Sequence, residues 1–183
     1  QYVQERTVSI HVETVDGGET VGAGFFIDEN GTIATTWKTI KGARDISIVL
    51  SNGSKFSVSE IVDFSRNLDL AILKVDAQDI KYLKLSDENV RAGERIYMAD
   101  TTERALTAER VLRTNFMVGD EEYLSTDTVF SGENRGAPLV NVYGEVVGIS
   151  EQVYKELGLV VKVGTLERLE RDKNWTMQEF SSW

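Results

Sequence analysis

The sequence predicts an all-β protein built in two halves. Short stretches of alternating apolar and polar residues recur along nearly the whole chain, and turn residues punctuate them at hairpin spacing. A polar stretch near the middle then separates two runs of such segments. Fifteen glycines against a single proline among 183 residues suit many short strands joined by turns. A chain of this length buries one substantial core or two small ones.

Residues 7–15 place Val8, Ile10 and Val12 on one face and Thr7, Ser9, His11 and Glu13 on the other, then break at Asp16-Gly17-Gly18. Residues 20–27 form the next strand, Asp28-Glu29-Asn30-Gly31 a turn, and residues 32–36 the return. Strands over 46–50, 56–64 and 70–75, with a turn at Ser51-Asn52-Gly53, complete a set that fits one small closed barrel. The first barrel is therefore expected over about 7–76 and a crossing segment, anchored by Leu83 and Leu85, over about 77–93. A second barrel over about 94–163 repeats the pattern with strands at 95–99, 106–117, 123–125, 139–142, 145–152 and 157–163. Thr165 is expected to cap a short helix through Arg171, with Leu166 and Leu169 on its buried side. The helix and a tail fill 164–183, where Trp175, Phe180 and Trp183 either dock on a barrel or meet a neighbouring domain. Residue identities do not repeat between the halves, so no duplication is visible.

Composition removes several functions. A formal charge of −10 argues against nucleic acid and anionic membranes, both polyanions. The lack of cysteine excludes disulfides, thiolate catalysis and thiolate metal sites. No apolar run approaches the roughly 20 residues of a membrane-spanning helix. The stretch from Gln1 onward has no signal-peptide pattern, and the chain is expected to be one domain of a longer protein. The single histidine, His11, reads as an exposed strand residue. Asp28, Glu29, Asp87, Glu88, Asp120, Glu121 and Glu122 lie in turns without a calcium-loop spacing and read as solvated charge. Gly22 and Gly24 lack the rest of a dinucleotide fingerprint. No cofactor and no metal are expected. Sequons at Asn52 and Asn174 matter only for a chain secreted from a eukaryotic cell.

Residues 126–150, TDTVFSGENRGAPLVNVYGEVVGIS, organise the rest. The stretch resembles the nucleophile loop of trypsin-like serine proteases, most closely of the HtrA (Deg) type, whose pattern runs T-D, a few residues, G-N-S-G-G-P-L-V-N, a turn and G-x-V-x-G-I. Three further segments fall in the family's order. Gly22-Ala23-Gly24-Phe25-Phe26-Ile27 followed by Asn30-Gly31-Thr32-Ile33 resembles its opening, Asp69-Leu70-Ala71-Ile72-Leu73-Lys74-Val75 its D-L-A-V-L-K-I strand, and Tyr82-Leu83-Lys84-Leu85-Ser86-Asp87 the P-x-L-x-L-G-D-S that follows. The resemblance runs from about residue 8 to 171 and implies a chymotrypsin/trypsin-like double β-barrel with its cleft between the barrels.

Carried over residue by residue, the resemblance keeps one member of the triad in three. Residues 35–43, TTWKTIKGA, align with T-N-N-H-V-V-x-G-A, which puts Lys38 at the histidine position. Asp69 keeps the aspartate and Arg135 stands for the serine. Histidine must take a proton from the hydroxyl and return it to the leaving amine, which needs a pKa near neutrality. A lysine amine, with a reference pKa of about 10.4, does not serve, and arginine offers no nucleophile. Glu133 replaces the glycine that opens the oxyanion turn, beside the retained Asn134, and disfavours the φ values such loops use. Losing serine or histidine alone costs on the order of 10⁶ in turnover. A serine-lysine dyad drawing on Ser131, Thr35 or Thr36 would need an uncharged Lys38, which Asp69 opposes. Lys38 and Asp69 are instead expected to form an ion pair within about 4 Å.

The expected function is that of an inactive HtrA-like domain serving in binding, sensing or scaffolding, in an extracytoplasmic setting. The alternatives are a hydrolase with a non-standard nucleophile and a structural spacer. A protein, peptide or polysaccharide ligand and other domains of the same parent chain are the expected partners, with nucleic acid excluded. HtrA proteins usually carry a PDZ domain after the protease, and none is visible in this sequence, so their trimer assembly is not carried over.

Overall fold

The computed structural model describes residues 1–128, 130–154 and 157–182, with backbone alone for 152–154. Six antiparallel strands close the first barrel: β1 (Thr7–Thr14), β2 (Glu19–Phe26), β3 (Thr32–Thr35), β4 (Ala43–Leu50), β5 (Lys55–Ser65) and β6 (Leu70–Val75). Their order is β5-β4-β1-β2-β3-β6, and β6 returns to pair with β5. The apolar face of β1 decides the register: Val8, Ile10 and Val12 are buried, and Ile10 lies between Gly22 and Ile48. Strand β5 serves two neighbours because its register shifts between Val58 and Glu60 and again between Ile61 and Asp63. Such bulges bend a strand and let a small barrel close.

The second barrel is β7 (Arg95–Asp100), β8 (Ala105–Val118), β9 (Glu121–Thr126), β10 (Pro138–Val140), β11 (Val146–Tyr154) and β12 (Leu157–Lys162), closed in the order β10-β11-β12-β9-β8-β7. The double barrel expected from the resemblance is thus the fold of the chain. Ile10, Phe26, Ile33, Ile48 and Leu73 fill the first barrel, and Ile96, Met98, Val111, Leu139 and Val160 the second. A third cluster, with Phe25, Leu70, Leu83, Val140, Ile149 and Leu166, lies between them and joins residues of both. Leu83 is fully buried there, and its N–H donates to the Phe26 carbonyl at 2.9 Å. Val146 N–H donates to Lys84 O, and Ser86 N–H to Val146 O. The crossing segment is therefore pinned to both barrels.

The expected helix from Thr165 through Arg171 is corrected. Residues Val163–Arg168 form a 3₁₀ helix whose N-cap, Lys162, makes no side-chain cap, and the backbone returns to extended geometry at Leu169. Leu166 and Leu169 are buried as expected. A 3₁₀ turn aligns i and i+3, so this geometry delivers both leucines to the inter-barrel cluster. The short C-terminal helix is α2 (Met177–Ser181), started by a capping box between Thr176 and Glu179. Ahead of it, β13 (Trp175–Thr176) pairs with β5, and Phe180 enters the first barrel's core, edge-on to Phe64 at 5.2 Å. The tail thus docks on the first barrel through Trp175 and Phe180, and Trp183 lies outside the described residues.

Candidate functional site

A cluster of charged side chains joins the barrels. Past β3 the backbone of Thr36 is extended, and its hydroxyl accepts the Thr39 N–H, capping the single turn α1 (Trp37–Ile40). That turn carries Lys38. Asp69, just before β6, adopts φ +52°, a left-handed conformation that aspartate enters more readily than most residues. Its carboxylate accepts the Lys38 backbone N–H at 2.8 Å. The Lys38 ammonium stands 3.6 Å from Asp69 Oδ2 and 3.1 Å from Glu151 Oε1. The expected pair is formed, and the nearer of these two carboxyls is Glu151.

Glu151 comes from β11, both faces of which are buried from Val146 to Ser150, and it sits where the pairing of β11 with β12 shifts register between Ser150 and Gln152. Asp69 is 5% exposed and Glu151 2%. Burial, and then the neighbouring Asp69 carboxylate, push the Glu151 carboxyl far above the usual carboxylate range, and Lys38 only partly opposes them. Asp69 Oδ2 and Glu151 Oε2 are both buried without a hydrogen-bond donor, and a Glu151 proton shared with Asp69 satisfies both. One ammonium, one carboxylate and one carboxylic acid make a neutral unit. Burial, together with the charges of Glu151, Glu121 and Asp69, also raises the Tyr123 phenol.

Arg135 approaches from the second barrel. Its Nε donates to the Glu151 carbonyl at 3.0 Å, and its own carbonyl accepts the Ala23 N–H of β2 at 2.8 Å. Close approach of backbone explains two glycines here. A Cβ on Gly136, at φ +92°, would fall 2.1 Å from Ala23 O, and one on Gly22 would fall 2.4 Å from the Thr39 side chain. The glycine pair in β2 is a packing device.

The loop before Arg135 folds on itself. Gly132–Asn134 is one 3₁₀ turn, in which Asn134 N–H donates to Ser131 O and Arg135 N–H to Gly132 O. Glu133 keeps φ out of the left-handed region, and the Gly136 N–H goes to Ser150 O. Asn134, 1% exposed, accepts the N–H and hydroxyl of Thr101 on its side-chain oxygen. An oxyanion site needs backbone N–H groups aimed at open space, and the Arg135 N–H is spent.

The other candidates lie apart or are engaged. Thr35 Oγ1 donates to Ala23 O, the Thr36 hydroxyl serves the α1 cap, and Ser131 is exposed. His11 is exposed on β1, 3.1 Å from the Ser9 hydroxyl. Among the described residues no group of histidines and carboxylates has a metal-binding arrangement. Glu151 is the residue that sequence reasoning missed; it ends a run, 146–151, that is buried on both faces, and a register shift beside it removes the period-two signal that would have marked its side.

The profile of the trypsin-like peptidase domain matches residues 22–149. A probable periplasmic serine endoprotease, DegP-like, from Halomonas elongata is 30% identical over 145 residues, which cover 75% of this chain and 30% of that protein. The chain thus spans about a third of the length of such relatives. Among solved structures, the serine endoprotease from Yersinia pestis superposes with a TM-score of 0.79 at 20% identity, covering 99% of this chain and 64% of that one. An HtrA-type protease solved with a tripeptide gives 0.81 at 17%, covering 91% and 59%.

Proposed function

The chain belongs to the trypsin-like peptidase family, in its HtrA/DegP branch, and from that premise we propose that its peptidase centre is inactive and that the domain serves in binding, sensing or scaffolding. The observation that carries this reading is the fate of Arg135. Its side chain brings no nucleophile, its Nε is committed to Glu151 O, and its N–H closes the 3₁₀ turn. Lys38, at the position of the general base, is committed to Asp69 and Glu151. A serine peptidase needs a hydroxyl, a base near neutral pKa and free oxyanion donors; the first two are replaced here, and the N–H at the nucleophile position is spent on Gly132 O.

The expected outcome with purified protein is no cleavage of casein or peptide substrates and no labelling by a fluorophosphonate probe. Stoichiometric labelling of any residue overturns the reading. Arg135→Ser combined with Lys38→His is expected to restore little turnover, because the closed turn over residues 132–134 remains. Strong proteolysis by that double variant would show that the loop reopens by itself.

Relatives named as periplasmic favour an extracytoplasmic setting. A peptide or polysaccharide is the proposed ligand class. With both cations of the centre engaged at Glu151, an outer face of the barrels is the better place for it than the old cleft. Titration with an unfolded polypeptide and with acidic polysaccharides, against an Arg135→Ala/Lys38→Ala control, decides the location. Binding abolished in the control returns the ligand to the cleft, and no binding to any of these leaves a spacer.

A further inference from the structure

The turn α1 carries a surface made of donors beside the seam. Trp37 is half-buried, while Lys41, one turn on from it, and Arg66, from the turn between β5 and β6, are exposed. The Lys41 ammonium and the Arg66 guanidinium each stand 5.5 Å from the centroid of the Trp37 ring. Among the described residues Lys41 pairs with no carboxylate, and the Trp37 indole N–H meets no acceptor and faces water. Resting on the binding reading above, we infer that this surface holds the carboxylates of an acidic polysaccharide, with a sugar ring laid against the indole.

Ammonium, guanidinium and indole N–H all donate, so the ligand they suit is rich in acceptors and negatively charged. Two like charges at one ring repel each other, and an anion between them removes that cost. Arg66 brings the planar fork that engages a carboxylate through paired hydrogen bonds. Cation–π attraction reaches to about 6 Å, so both cations sit near its limit and are held loosely enough to turn to a ligand. The neighbouring Lys38 adds no net charge here, because Asp69 and Glu151 make a neutral unit with it. The formal charge of −10 is spread over the whole chain and is screened beyond about 8 Å in physiological salt, which leaves the decision to the local cations.

An acidic peptide fits this place less well. Both barrels close on themselves, so among the described residues α1 has beside it no open strand edge for a peptide to extend. An indole instead offers a flat apolar face and one donor at its edge, which match the apolar face and the rim oxygens of a sugar ring.

The test is calorimetric titration of the purified domain with polygalacturonate, beside dextran as a neutral polymer and polyglutamate as an acidic polypeptide. Polygalacturonate is expected to bind, more weakly as salt rises, dextran not at all, and polyglutamate roughly tenfold more weakly or less. Trp37→Ala is expected to lower the affinity for polygalacturonate roughly tenfold, and Lys41→Gln roughly threefold. Lys41→Gln changes an exposed side chain and decides the matter should Trp37→Ala not fold. No binding of polygalacturonate, equal binding of polyglutamate, or an unchanged affinity in Lys41→Gln overturns the assignment. Polygalacturonate binding that survives both substitutions removes this surface and leaves the binding reading standing. Fluorophosphonate labelling, by contrast, sinks the inactive centre without touching the titration, so the two failures are told apart.

Discussion

Glu151 at the seam between the barrels and Glu109 inside the second barrel are both 2% exposed, yet they live with burial in different ways. The seam supplies a cation and a second carboxyl, so the Glu151 proton is shared inside a neutral unit with Lys38 and Asp69. The barrel interior supplies one hydroxyl and a like charge. The difference teaches that two equally buried acids change protonation over different pH ranges: Glu151, beside a second carboxyl, far above the usual range despite Lys38, and Glu109, with only a hydroxyl and a more distant like charge, at about 7.

Removing the seam's fixed charge should have the largest effect. Asp69→Ala deletes the acceptor of the Lys38 N–H and one partner of its ammonium, so a loss of about 2–4 kcal/mol is expected in equilibrium denaturation. The estimate sits toward the lower part of the range for buried pairs because Lys38 is 40% exposed. A loss under about 1 kcal/mol would mean that the seam behaves as surface.

Second in size is Glu109→Gln. The folded carboxyl titrates at about 7, above its ordinary 4.5, so the stability it lends is complete below the lower value and is lost as pH rises through the upper one. Wild type should therefore weaken between about pH 5 and pH 8, by at most about 3 kcal/mol, and the glutamine variant should not. Parallel stability profiles for the two proteins would remove the contrast with the seam.

The smallest effect is expected from Glu151→Gln. An amide reproduces both the acceptor toward Lys38 and the donor toward Asp69, so the cost at neutral pH should stay under about 1 kcal/mol. A loss comparable with that of Asp69→Ala would show that Glu151 carries charge rather than a proton.

Strands, turns and the double barrel were legible because they rest on local signals, such as the alternation of Val8, Ile10 and Val12 and the order of four motifs. Lys38 and Asp69 were legible as partners because each occupies a recognisable motif. Glu151 was not, since its partner lies 113 residues away on the other barrel, and Glu109 read as one more residue of a polar strand. The closure of the Arg135 N–H on Gly132 is a backbone bond, to which side-chain identities point only indirectly through Glu133. Thr165 resembled a helix cap, while the working capping box, Thr176 with Glu179, stood eleven residues on. Packing of Leu166 and Leu169 overrode the local preference.

The docked tail bears on how the chain can be dissected. Each barrel is a closed ring of consecutive strands, and a cut in the crossing segment near residue 90 looks like the natural place to divide them. A fragment ending there would leave β5 without β13 and empty the place of Phe180 beside Phe64, because both fillers come after the second barrel in sequence. The first ring thus reaches its final form only after residues 175–180 have been synthesised. On the ribosome it must wait for the second, so the two rings mature as one translational unit.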